Sequence, residues 1–208
     1  MNETQPKKPT AGGAGTTRQR LIEAARAEFG ERGIEAATTR GIAERAGCNE
    51  VTLFRNFESK QKLLQAVVAE TSEEFRVLSE CRRGFSGDLL KDLERYAEVY
   101  DESLQRCEGM ARALIGESRR RPMLAKELIG DVLEPLHRSI ADFLEQRKPT
   151  GEVRADLDGM AFAEVLTSAL MGGLLRRSSG LSSMDRQQWI RETVGFLVRG
   201  VGLVEPEH

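Results

Sequence analysis

The chain has 208 residues, of which 39% are hydrophobic, 5% aromatic and 31% charged, with a formal net charge of -2. That length can bury a substantial core in one large or two small domains, and the overall charge gives no general attraction to DNA. No apolar run approaches the ~20 residues that a membrane span needs.

The average charge hides an asymmetry. Met1 to Lys62 carries 11 Lys/Arg against 8 Asp/Glu, a net of +3, and the remainder stands at -5. This suits a front domain facing phosphates, although so small an imbalance is also ordinary. The scattered cysteines, Cys48, Cys81 and Cys107, exclude a compact zinc knuckle and read as reduced thiols of a cytoplasmic protein. Cys48 is expected to be a small buried side chain, and redox sensing through Cys81 or Cys107 is the minor alternative. The N-terminus is charged without an apolar core, unlike a signal peptide.

Residues 1–15 hold Pro6, Pro9, Gly12, Gly13 and Gly15 without buried periodicity and are expected to be a disordered tail. Lys7 and Lys8 serve either as a basic arm or as a solubilising tail. Thr16 and Gln19 have capping-box spacing, and Leu21, Ile22, Ala25 and Phe29 follow on one side of a first helix. That helix should end near Arg32 with Gly33 as its cap. A short helix with inward Ile42, Ala43 and Ala46, a turn at Gly47 and a second short helix capped by Asn49 come next. Val51, Leu53 and Phe54 are expected to supply its apolar surface. This is the outline of a helix-turn-helix. Ser59 then caps a long helix to about Ser79, with Leu64, Val68, Phe75 and Leu78 on one stripe.

From Arg18 to Leu64 the sequence resembles the DNA-binding domain of the TetR family of bacterial transcriptional regulators. The resemblance rests on Phe29 with Gly33, Thr38, Ile42-Ala43, Ala46-Gly47, Thr52-Leu53, Phe54 with Phe57, and Lys60. It covers about the first third of the chain. It implies an all-α fold with an N-terminal three-helix DNA-binding domain over residues 16–64. A helical ligand-binding and dimerisation domain over residues 65–204 would follow. The family usually has Tyr at the place of Phe54, His or Tyr at Arg55 and Asn56, and in many members Lys at Glu50. Phe54 is therefore assigned to packing, and an unusual operator is expected.

In the rear part, Asp88 caps a helix carrying Leu89, Leu93, Tyr96 and Tyr100. Another follows with Leu104, Cys107, Met110, Ala111, Leu114 and Ile115, the boundary expected near Asp101 to Ser103. Pro122 starts a further helix that Pro135 should kink or split, and residues 148–159 read as a loop. Two last helices are expected at about 158–177 and 185–203. Ala161, Ala163, Ala169, Gly172 and Gly173 on the first would admit another helix backbone. Trp189, Ile190, Val194, Phe196, Leu197 and Val198 cover more than one face of the second. That excess predicts a homodimer through this pair, as the resemblance also implies, against burial within one subunit.

The candidate DNA-binding residues are Thr38, Arg40, Asn49, Glu50, Thr52, Arg55, Asn56 and Lys60. Thr52 offers a hydroxyl to phosphate and a methyl to thymine, and Arg55 either reads guanine or clamps phosphate. Glu50 either accepts from a cytosine amino group or complements the helix dipole. Thr38 is a cap that can share its hydroxyl with phosphate, Arg40 reaches the backbone or a groove edge, and Asn56 can read adenine. Lys60 opposes the dipole at a helix start and makes better sense with a phosphate there. Tyr96, Tyr100, Arg112 and His137 are candidate anchors for a small, mostly apolar effector, each also suited to a structural role. No phosphate loop, HExxH or serine elbow appears, and no cofactor or metal is expected.

The reading is a homodimeric, ligand-responsive repressor that binds a double-stranded, pseudopalindromic operator. Its half-sites would lie about 34–36 Å apart or at multiples of that. A transcriptional activator, a ligand-independent regulator and a helical protein-interaction module are the alternatives; an enzyme is the remote one.

Overall fold

The computed structural model describes residues 16–75, Leu78 and residues 85–201. The expected tail, Cys81 and most of the stretch around it lie outside them. The described residues form nine helices and no strand. Helix α1 spans Thr17–Arg32, α2 Thr39–Arg45, α3 Glu50–Phe57 and α4 Lys60–Phe75. Behind them come α5 Leu89–Arg106, α6 Glu108–Glu117, α7 Pro122–Glu145, α8 Gly159–Ser178 and α9 Arg186–Val201.

The helix ends follow local chemistry. Thr16 Oγ1 accepts from the Gln19 amide at 3.2 Å, whereas the Gln19 side chain donates to Glu70 instead of closing the box. Gly33 caps α1, and Gly47 turns the chain between α2 and α3 at φ 68°, where a side chain would be strained. Asp88 and Asp158 cap α5 and α8 through their carboxylates.

Two cores divide the chain. The front core gathers Leu21, Ile22, Phe29, Ile42, Leu53 and Phe57 with Leu63, Leu64, Val67 and Val68 of α4. It is completed by Met110 and Leu114 of α6 and Leu128 of α7, residues that belong in sequence to the rear part. The rear core holds the far end of α4, with Phe75 and Leu78, against α5, α7, α8 and α9. Helix α4 therefore serves both. Helices α1 and α6 approach so closely at Gly30 and Gly109 that a methyl on either would meet the other backbone at 3.1–3.2 Å.

Four expectations are corrected or narrowed. The break after α5 falls at Cys107, because Asp101 is fully buried mid-helix and ties three helices together. It accepts from Arg177 of α8 at 2.7 Å and Arg186 of α9 at 2.8 Å. Of the kink or split expected at Pro135, the split does not occur, for helix α7 runs through it. The small residues of α8 are not one backbone-docking stripe, for Gly173 makes room for the Trp189 indole, which donates to the Ala169 carbonyl at 3.1 Å. Cys48 is only partly buried, against the front core.

Asp101→Ala strands the largely buried Arg177 guanidinium, while Arg186 keeps Glu102 and the Glu98 carbonyl, and breaking such a buried pair costs about 3–5 kcal/mol. Thermal denaturation should show a large fall in Tm, with Asp101→Glu less severe than alanine.

Candidate nucleic-acid interface

Helices α2 and α3 meet around the Gly47 turn, and most of their polar side chains hold the motif together. Thr38 Oγ1 accepts from the Gly41 amide at 3.0 Å, and Asn49 Oδ1 accepts from the Thr52 amide at 2.9 Å and hydroxyl at 2.8 Å. The Thr39 hydroxyl donates to the Glu50 carboxylate, which joins the two helices. Asn56 donates to the Thr52 carbonyl at 2.8 Å. Arg40 pairs with Glu44 at 2.9 Å on the exposed side of α2. Behind the motif, Arg45 bridges to Glu28 and Glu31 of α1, and Arg20 donates to the Ala46 carbonyl.

Of the residues singled out, Thr38, Arg40, Asn49, Arg55 and Asn56 are exposed, and Glu50, Thr52 and Lys60 are half-buried. Arg55 makes no ion pair among the described residues. Lys60, expected to make better sense with a phosphate at the helix start, also has a partner within the chain. Its Nζ donates to the Glu35 carbonyl at 3.0 Å, which bridges the start of α4 to the α1–α2 connection, and burial lowers its pKa. Lys62 pairs with Glu58 at 2.7 Å.

The assignment of Phe54 to packing is overturned. Leu53 and Phe57 fill the inward face of α3, whereas Phe54 is 45% exposed and Val51 60%. The spacing shows why. At about 100° per residue, positions four apart share a face, so Leu53 and Phe57 point together. Val51, counted as apolar surface without regard to angle, falls on the far side beside Arg55, and Phe54 falls on the flank between that side and the inward face.

In the rear part a cavity of about 210 Å³ lies between α4, α5, α6, α7 and α8. Phe75, Leu104, Met110, Leu114 and Met171 form apolar walls, with Thr71, Tyr100 and Thr167 as polar edges. Among the described residues, no Asp, Glu, Lys, Arg or His lines it. Tyr100 alone of the four expected anchors reaches it. His137 stands one residue behind, its Nε2 2.9 Å from Thr167 Oγ1. Tyr96 is buried in the rear core with its hydroxyl toward the Leu136 carbonyl. Arg112 lies in an open polar groove near Arg32 and Glu35, paired with Glu108. Cys107 is buried in the cavity wall and burial pushes its thiol up to about 12, which removes the thiolate that redox sensing needs.

Residues 21–67 match the family described as bacterial regulatory proteins of the tetR family, and residues 86–193 match the tetracyclin repressor-like C-terminal domain. The chain belongs to the TetR family. It is a DNA-binding transcriptional regulator of the helix-turn-helix type, in a family whose members bind DNA operators and act as dimers. It is 27% identical to the HTH-type transcriptional regulator YvkB of Bacillus subtilis over 191 residues, 89% of this chain and 97% of that one. Its fold is similar to the flavonoid-responsive regulator FrrA, with a TM-score of 0.66 and 26% identity over 92% of this chain and all of that one. The ketosteroid regulator KstR2 of Mycobacterium tuberculosis shares the fold at a TM-score of 0.69 and 22% identity, over 92% and 98% of the two chains. No helix among the described residues of this TetR-family chain is long and apolar enough to cross a membrane.

The outer face of α8 and α9 carries Val165, 52% exposed, and Phe196, 66% exposed, and a methyl on Gly172 would meet nothing within 4 Å. Trp189 and Ile190 turn inward instead. Part of the apolar excess on α9 is thus core, and part is free surface.

The His137–Thr167 contact gives a pH dependence. The Thr167 hydroxyl donates to the Ala163 carbonyl at 2.9 Å, so the imidazole is the donor in its own bond to Thr167. Burial lowers the His137 pKa, partly offset by the Glu164 charge. A lowered folded-state pKa means that the unfolded chain binds the proton more readily, so stability is present above about 6.5 and falls as the pH drops further. His137→Gln keeps a donor without the titration. Thermal denaturation between pH 7.5 and 5 should show a smaller loss of Tm in that variant than in the wild type.

Proposed function

We propose that the protein is a homodimeric repressor whose α3 helices enter successive major grooves of a pseudopalindromic operator, and whose hold on DNA is released by a small, uncharged, mostly apolar effector. The observation that carries the coupling is the double use of α6. Met110 and Leu114 line the cavity and are at the same time buried in the front core. A molecule pressing on that wall shifts residues that set the seat of α1 and α4, and with them the separation of the two α3 helices in the dimer. A useful coupling needs only about 1–3 kcal/mol of differential affinity between the two states.

The proposed division of labour has residues 16–64 and the first turns of α4 as the DNA-binding head, and the rest as the regulatory and dimerising body. Arg55 contacts a guanine or a phosphate, Thr52, Arg40 and Thr38 contact the backbone, and Lys60 serves there if it exchanges the Glu35 carbonyl for a phosphate. Glu50, Asn49 and Asn56 act mainly by holding the shape of α3, since their side chains are engaged within the motif. The dimer forms through the outer face of α8 and α9 around Val165 and Phe196.

The effector's chemistry follows from the walls. A cavity without a charged side chain favours an uncharged guest, because a buried ion without a partner is costly. Its volume lies below the roughly 300–1,000 Å³ of common ligand pockets, so the guest is small or enters as Met110 and Met171 repack. The name of FrrA, a flavonoid-responsive relative by fold, supports a guest of this class.

Selection from a randomised duplex pool, scored by fluorescence anisotropy at two salt concentrations, should yield a pseudopalindrome bound at least 1,000-fold above random DNA. The triple variant Thr52→Ala, Arg55→Ala, Lys60→Ala should lose that binding while keeping the wild-type oligomeric state. Equal, salt-labile binding to all duplexes would leave only generic phosphate affinity and remove the repressor reading. For the effector, apolar uncharged compounds should raise Tm and lower operator affinity together. If none does so, the ligand-responsive part fails.

A further inference from the structure

We propose that Val51 and Phe54 form an apolar reading edge on α3 that recognises the 5-methyl groups of thymine in the operator. The proposal rests on the DNA-binding reading above and adds which base feature is read. Helix α3 has only eight residues, and one inward stripe, Leu53 at 0% and Phe57 at 4% exposure, already completes its contribution to the core. Val51 at 60% exposure lies far round from that stripe and Phe54 at 45% on its flank, and turning the helix to bury either further would expose Leu53 and Phe57.

The surroundings identify what covers them. The polar groups of α3 that could read base edges are largely engaged. Asn49 Oδ1 takes the Thr52 amide and hydroxyl, Asn56 Nδ2 donates to the Thr52 carbonyl, and the carboxylate of Glu50 is held by Thr39. What remains outward is the apolar pair with Arg55 beside it. An apolar edge with the exposed Arg55 guanidinium beside it, and with the one carboxylate of its helix held by Thr39, is complementary to a polyanion that carries apolar points. In the major groove those points are the thymine methyl groups, and each base pair containing thymine presents one. Phe54 can supply ring contact and Val51 a branched methyl pair, at a spacing of three residues that places both along one side of the helix.

The test uses the full-length protein and the selected duplex, with each dT replaced singly by dU, which deletes the methyl and nothing else. Wild-type affinity should fall by about fourfold per lost methyl at one or two positions in each half-site. Val51→Ala and Phe54→Ala should each bind the dT and dU duplexes alike at one of those positions, with Tm unchanged because both side chains are exposed. The proposal is overturned if the wild type tolerates dU everywhere, or if both variants keep the full wild-type sensitivity. It is also overturned if the variants lose self-association by light scattering with that sensitivity intact, since the edge would then meet protein. A failure to select any duplex has a different meaning, for it removes the DNA-binding reading itself and this proposal with it.

Discussion

The structure depends on a front core that cannot close by itself. Helices α1, α2 and α3 are short, and a unit of about fifty residues buries a small share of its chain and is marginal alone. Here Met110, Leu114 and Leu128 complete it from behind, and Gly30 and Gly109 let α1 and α6 come close enough to do so. The angle at which α3 is presented is therefore a property of both halves of the chain. A loose linker would have isolated the head from the body; a shared core makes each a boundary condition on the other.

On that foundation, the helix-turn-helix is held by an interlocked set of small polar contacts. Thr38 and Asn49 each satisfy an amide at a helix start, Thr39 fastens Glu50 across the turn, and Arg45 fastens α2 to α1. Each is worth little, on the order of 1 kcal/mol for a cap. Together they leave α3 few ways to rotate. What the motif leaves outward is Arg55 and an apolar pair, which in the proposed reading form the recognition surface, because the amide and carboxylate side chains are engaged within the motif.

Much of this was legible in the sequence because the relevant forces are local. Thr16, Thr38, Asn49, Asp88 and Asp158 act on amides two or three residues away, and Gly47 needs only its own backbone angle. The order of short helix, turn and short helix could be read from these alone. What escaped was set by distant partners or by angle. Asp101 looked like a helix boundary, yet its fate is decided by Arg177 and Arg186, more than seventy residues on. Gly173 looked like a place for a helix backbone and holds an indole. Phe54 looked like core because it is apolar, whereas its angular offset from Leu53 puts it outside. The same holds for Tyr96 and Arg112, whose side chains suited a ligand but whose helix faces point into the packed core and an open groove.

The cavity's size bears on how much a guest must do. At about 25 cal/mol per Å² of apolar surface, the 1–3 kcal/mol needed for coupling corresponds to a difference of roughly 40–120 Å² buried between the two states. An aromatic side chain buries about 150–250 Å², so less than one ring's worth of contact is enough. The walls are built for such a small adjustment. Met110 and Met171 are unbranched and change rotamer readily, while Tyr100 and Leu104 hang from a helix pinned at Asp101 by two arginines. A guest thus meets one stiff wall and one yielding wall, and the yielding one contains Met110, a member of the front core. In the proposed coupling, strain introduced there would pass toward the DNA-binding head, because the pinned opposite side yields less.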